Sequence, residues 1–221
     1  MKNVIFDLGG VVLEWSPKKI EKEFKGDLNL PQKLFQNRFF QDYWIEFDRG
    51  MVTEEQIILQ MAELSGYTVV QCREFVEFIK HSLTDIPQTV TLIKRLSKLG
   101  YKLYCLSNMS VEFYDYLKGR EVFRYFDGQI ISGLVKQVKP DRAIYCTLLD
   151  TYDLKAEESL FIDDLKANIE AASVLGFHTV LFQIGQKATK RSIYIEIEAL
   201  RNFDPIIYML LIICLISATV Y

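Results

Sequence analysis

The sequence lacks the cysteine spacing that a disulfide framework or a zinc site would need. Its four cysteines, Cys72, Cys105, Cys146 and Cys214, lie far apart and form no Cys-x-x-Cys or mixed Cys/His pattern. In a chain of 221 residues this argues for buried thiols in a reducing compartment. The two histidines, His81 and His178, read as surface or packing residues. A surplus of positive charge is also missing. The net charge is −3, and Lys18-Lys19 is followed by Glu21 and Glu23, the pattern of a solvated helix face. With no basic stripe, a nucleic-acid partner is not expected. There is no internal repeat and no low-complexity tract. The apolar run after Lys2 is broken at Asp7, too soon for a signal peptide, so a cytoplasmic protein is expected.

What is present is an ordinary globular composition, half hydrophobic and a quarter charged. Such a chain buries one core, or one core plus a smaller insert. No feature sets an oligomeric state. The stretch Ile206–Val220 is apolar and uncharged through Tyr221. A membrane-spanning helix needs about 20 such residues, and this run falls at or below the lower limit of about 17. Three readings stand for residues 204–221. One is a membrane anchor, preceded by Lys187, Lys190, Arg191 and Arg201 on a cytoplasmic side. The others are a last element packed on the core and a non-native tail.

Short apolar runs alternate with amphipathic stretches. Expected strands are Asn3–Leu8, Tyr101–Leu106, Gly128–Ser132, Ser159–Ile162 and His178–Phe182. Val90, Ile93, Leu96 and Leu99 share one helical face, as do Ile169, Ala172 and Leu175. Gly100 and Gly176 stand where helices end, and Pro87 and Pro140 where helices begin. Strands alternating with helices predict an α/β fold with a parallel sheet covered on both faces. Residues 14–85 break this rhythm. They contain helical segments at Pro17–Phe24, Pro31–Phe40, Thr53–Ser65 and Val70–Leu83, with a capping box at Thr53 and Gln56. That is too long for a loop in a compact domain, so an inserted helical cap is expected over a core built from residues 1–13 and 86–203.

Ligands of such sheets collect beyond the carboxyl ends of the strands. There the sequence puts Asp7-Leu8-Gly9-Gly10, Ser107-Asn108, Lys139 and Asp163-Asp164. Singly these are common residues of turns and helix caps. Together they bring acids, a lysine and a hydroxyl to one edge. Clustered carboxylates repel unless a cation holds them, and oxygen-only ligands suit Mg2+. The lysine and hydroxyl suit a phosphate, and an aspartate can act as a nucleophile.

FDLGGVV at 6–12, LSN at 106–108, VKPD at 138–141 and FIDD at 161–164 resemble, in order, the four motifs of the haloacid dehalogenase superfamily. The likeness covers about residues 3 to 182 and implies a Rossmannoid core with a C1-type helical cap. It implies a phosphatase-type hydrolase acting on a small phosphorylated substrate. Asp7 would be the nucleophile. Ser107 and Asn108 would hold the phosphoryl group, and Lys139 would neutralise charge. Asp7, the Gly9 carbonyl, Asp163 and Asp164 would hold Mg2+. YWIEFDRGMVTEEQ is similar to the cap of the α-glucose-1-phosphatase-like sugar-phosphatase branch, and makes Trp44 and Arg49 candidates to face substrate. Gly9 departs from the family, whose phosphatases carry a second Asp there as general acid. That keeps two alternatives open, a 2-haloacid dehalogenase and a catalytically weak binding module, although the Asp163–Asp164 pair argues against both.

Overall fold

Five apolar runs form the sheet in the computed structural model, which describes residues 1–27, 29–182 and 205–209. They are β1 (Asn3–Phe6), β2 (Lys102–Ser107), β3 (Gly128–Ile131), β4 (Ser159–Asp163) and β5 (His178–Leu181). All pairings are parallel, in the order β3-β2-β1-β4-β5. Ile5 pairs with Tyr104 on one side and Phe161 on the other. Side chains alternate between two cores: Val4, Phe6, Cys105 and Ile162 enter one, Ile5, Leu106 and Phe161 the other. Burial on both faces explains why these strands read as unbroken apolar runs. The chain steps outward from β1 through β2 to β3, then crosses back to β4 on the other side of β1. The loops after β1 and β4 therefore part and leave a crevice at their carboxyl ends.

Six helices follow β1: α1 (Pro17–Glu23), α2 (Asn29–Gln36), α3 (Phe39–Asp42), α4 (Trp44–Asp48), α5 (Glu54–Ser65) and α6 (Val69–Ser82). The expected helix Pro31–Phe40 is broken, because Arg38 takes a left-handed conformation with φ of 53° between α2 and α3. α4 is too short to show a helical period in sequence. Thr53 and Gln56 form the expected capping box, and a second box at Thr68 and Gln71 starts α6. Leu13 pairs with Asp85, and the Ile86 N–H donates to the Val12 carbonyl, so the chain leaves and rejoins the sheet layer through adjacent segments. The core of the insertion is continuous with one sheet face. Each large apolar side chain buried there contributes roughly 1.5–3 kcal/mol.

The remaining helices are α7 (Pro87–Lys98), α8 (Val111–Leu117), α9 (Ser132–Val135), α10 (Arg142–Tyr152) and α11 (Lys166–Val174). Pro87 opens α7 as expected, but Pro140 opens no helix: α10 starts at Arg142, with Asp141 as its N-cap. β1 stops at Phe6, short of Leu8, because the Leu8 carbonyl accepts the N–H groups of Val11, Val12 and Leu13 in a tight loop. Among the described residues no helix is long and apolar enough to cross a membrane. The apolar run at Ile206–Val220 lies outside the described residues except for 206–209. Within that helical turn, Ile207 is buried in the larger core. Cys214 lies outside them as well.

Candidate active site

Asp7 is the first residue past β1, and its N–H still donates to the Ile162 carbonyl of β4, 2.9 Å away. This fixes its side chain at the crevice between the two strands. Its Oδ1 accepts from the Leu8 N–H at 2.7 Å and meets the Lys139 Nζ at 2.9 Å. Burial raises the Asp7 carboxyl to about 6; Lys139 opposes that shift and the charge of Asp163 adds to it.

Lys139 is 1% exposed in its side chain and is shared between Asp7 and Asp163, whose Oδ2 lies 2.7 Å from the ammonium. Burial pulls its pKa down, but the charges of Asp7 and Asp163 outweigh this and hold it well above the ordinary lysine value. Asn108 sets its position. The Lys139 N–H donates to Asn108 Oδ1 at 2.8 Å, and Asn108 Nδ2 donates to the Lys139 carbonyl at 2.9 Å. The Asn108 side chain, expected to hold substrate, is thus spent on bracing the lysine.

Asp163 ends β4 and is fully buried. Besides Lys139 it accepts from the Leu165 N–H at 2.8 Å and from Asn168 Nδ2, 3.0 Å from each oxygen. Asn168 is a member of this site that the motifs do not reveal. Its only signal in the sequence is its place in the first turn of the helix after Asp163. Asp164 sets its carboxylate over Gly10. Burial first, then the charges of Asp7 and Asp163, raise its carboxyl to about 7. Oxygens of Asp7, Asp163 and Asp164 all lie within 4.8 Å of one another. This hard, acid-rich donor set fits Mg2+, because three carboxylates share one small space with a single ammonium beside them.

Gly10 has φ of +76°, and a Cβ there would collide with the Asp164 carboxylate. Gly10→Ala is therefore expected to lose about 1–3 kcal/mol of stability. Gly9→Ala, where a Cβ would meet only the Trp15 side chain at 3.6 Å, should lose much less. Urea unfolding of both variants checks this, and equal losses would contradict it.

Ser107 ends β2 and is 1% exposed. Among the described residues its Oγ has no hydrogen-bond partner. An orphaned buried hydroxyl costs about 1–3 kcal/mol, which a ligand oxygen could offset. It is not a helix cap, because Ser110 caps α8. Trp44 does not stand open to a substrate as expected. It is 6% exposed and enclosed by Phe39, Phe40, Phe47 and Phe113, with centroids 5.2–6.2 Å away. Arg49 joins insertion to core: Nη1 donates to Asp141 Oδ2 and Nε to Glu46 Oε1, each at 3.3 Å.

A further acid, Asp48, lies within the YWIEFDRGMVTEEQ segment of the insertion. Asp48 is the last residue of α4, four positions after Trp44. Burial raises its carboxyl to about 8; the Ser110 N–H opposes this, the charge of Asp7 adds to it, and the Trp44 indole opposes it.

The family model of haloacid dehalogenase-like hydrolases matches residues 1–176. The chain is 25% identical over 176 residues to the sesquiterpene phosphatase astK of Aspergillus oryzae, spanning 79% of this chain and 86% of that protein. It is 27% identical over 198 residues to the D-ribitol-5-phosphate phosphatase of Bacteroides thetaiotaomicron, spanning 81% and 90%. Two other curated relatives are longer, and the chain spans 34% and 19% of their lengths. A HAD family enzyme of Bacteroides thetaiotaomicron, solved as a magnesium complex, superposes with a TM-score of 0.70 at 22% identity, over 86% of this chain and 96% of that one. At that identity the likeness speaks for the fold. With a family match across most of its length and the four motifs gathered on one sheet edge, the chain belongs to the haloacid dehalogenase-like hydrolases.

Proposed function

We propose that this hydrolase is a Mg2+-dependent phosphomonoesterase that works through an aspartyl-phosphate at Asp7 on a small phosphorylated metabolite such as a sugar phosphate. The observation that carries the reading is an imbalance of charge. One buried ammonium, Lys139, serves two buried carboxylates, with a third carboxylate, Asp164, in the same cluster. Such a site is incomplete without a further cation. The phosphatase relatives support the choice of a phosphate ester over a 2-haloacid.

Both donors to Asp7 fall on Oδ1, which leaves Oδ2 as the oxygen that attacks phosphorus. Ser107 Oγ donates to a phosphoryl oxygen, ending its isolation. Lys139 keeps Asp7 ionised and neutralises charge as the phosphoryl group arrives. Asp7, Asp164 and the Gly9 carbonyl, with Asp163 directly or through water, would hold Mg2+, which when bound would supply the remaining neutralisation of the transferring group. Residues 14–85 act as the cap that keeps bulk water from the reaction, fastened to the core by Arg49 and Asp141.

Phosphate release from a panel of sugar phosphates and p-nitrophenyl phosphate tests the reading. Turnover is expected in Mg2+ and lost in EDTA. Because the carboxyls of Asp7 and Asp164 are raised to about 6 and 7, a cation must displace protons as the pH falls. The Mg2+ concentration for half-maximal activity should therefore rise between about pH 8 and pH 5.5. Turnover indifferent to EDTA would sink the metal. Metal-free turnover of 2-haloacids with no phosphate release would favour a dehalogenase.

A further inference from the structure

A phosphate ester has two halves, and the acid cluster with Lys139 and Ser107 accounts for only one of them. What the alcohol half meets depends on the walls beside that cluster, of which the Gly9-Gly10 turn is one. On the Gly10 side the turn carries the Asp164 carboxylate. On the Gly9 side it carries an indole. The three heavy atoms nearest to where a side chain at position 9 would begin all belong to Trp15, with Cβ at 3.6 Å, Cγ at 3.7 Å and Cδ1 at 3.9 Å. The loop dictates this return. The Leu8 carbonyl collects the N–H groups of Val11, Val12 and Leu13, and Gly9 bridges to Leu13, so the chain doubles back and lays Trp15 beside Gly9. With glycine at position 9, no side chain separates the turn from the ring.

Trp15 begins a run of aromatic rings. It meets Phe40 edge-on with centroids 6.3 Å apart, and Phe40 stacks on Phe35 at 4.8 Å. Phe40 in turn rests on the buried Phe39 and Trp44, at 5.7 and 5.3 Å. The core of the insertion thus holds the inner end of the run, while Trp15, Phe40 and Phe35 stay only partly buried. Rings held this way favour apolar partners laid against face or edge. At the β4 end of the crevice the residue after Asp164 is Leu165, 56% exposed. The polar side chains around the site are committed within the protein: Asn108 to the backbone of Lys139, Asn168 to Asp163, and Arg49 to Glu46 and Asp141. A sugar could stack on Trp15, but its hydroxyls would have to give up water for groups that are already spent.

We propose that this site takes the monophosphate of an apolar alcohol, with the carbon skeleton laid against Trp15 and Phe40. The inference rests on the phosphomonoesterase reading above, keeps its chemistry, and moves its substrate from a sugar phosphate to an apolar ester. Trp15 takes the substrate-facing role that the enclosed Trp44 does not fill. The skeleton displaces water from the open faces of the rings, and the gain grows with the apolar area covered.

Benzyl phosphate and glucose 6-phosphate are both esters of primary alcohols, so a difference between them reports recognition of the skeleton. In Mg2+ the wild type is expected to favour benzyl phosphate by about 10–100-fold in kcat/KM. Trp15→Ala should bring the two esters to within about threefold of each other, with the loss falling on KM. Trp15→Phe, which keeps a ring, should hold most of the preference. A wild type that prefers glucose 6-phosphate overturns the proposal. So does a Trp15→Ala protein that loses equally on both esters, the mark of a structural role. Calorimetry on the wild type in Mg2+ needs neither turnover nor a folded variant: benzylphosphonate should bind at least about tenfold more tightly than methylphosphonate. Equal affinities would also overturn the proposal. A wild type that releases phosphate from neither ester yet prefers benzylphosphonate would remove the phosphohydrolase reading and leave the apolar site standing.

Discussion

Lys139→Met is expected to lower stability by about 3–5 kcal/mol near pH 8, the cost of leaving buried carboxylates without their cation. Phosphate release should fall by about 10²–10³-fold, because the same ammonium neutralises charge on the transferring group. Methionine fills much of the space of the lysine stem, so the loss reports charge more than packing. Its pH dependence separates the two. Burial already raises the Asp7 carboxyl to about 6 against the pull of Lys139, and removing that pull raises it further. A carboxyl whose folded pKa lies above its unfolded value loses stability as the pH rises through the folded value. The Asp7 share of the deficit should therefore be small near pH 5, where Asp7 is protonated, and full near pH 8, on top of the share from the lost Asp163 pair. Urea unfolding at both values checks the sign. An equal deficit would mean that packing dominates. Lys139→Arg should not restore activity, because a guanidinium fork cannot occupy the compact place that Asn108 sets for an ammonium.

The parts of this site written in consecutive residues were legible in the sequence, and the parts made by distant ones were not. Asp7, Ser107 and Asp163 follow or end buried strands, so apolar runs alone brought them to one edge. Adjacency made Asp163 and Asp164 look equivalent. In the fold one is enclosed by Lys139, Leu165 and Asn168, while the other lies over Gly10. Asn108 resembled a ligand, but its partner is the backbone of Lys139, 31 residues on. Trp44 was ambiguous because an aromatic residue serves packing and recognition equally well. Phe113, which the sheet layer supplies from α8, helps bury it.

Asp7→Asn is expected to reduce phosphate release by at least about 10⁴-fold while leaving the fold intact. An amide oxygen is a poor nucleophile, so no aspartyl-phosphate forms, and the remaining groups only bind and polarise the substrate. Asparagine keeps an acceptor for the Leu8 N–H and for Lys139, and Lys139 keeps its ion pair with Asp163. What disappears is a carboxylate whose ionisation the fold resists. The wild-type carboxyl is raised to about 6, so its contribution to stability is present below the ordinary carboxylate value and lost as the pH climbs through 6. The variant has no such loss. In EDTA the difference in Tm, variant minus wild type, should therefore increase between about pH 4 and pH 8. Mg2+ should reverse the trend, since the wild type gains a cation to hold and the variant lacks one of its ligands. Thermal unfolding with and without the metal, beside the phosphate assay, reads both effects in one protein. A variant that kept turnover within about tenfold of wild type would put the nucleophile elsewhere, with water attacking the phosphate directly and Asp7 only positioning the cation.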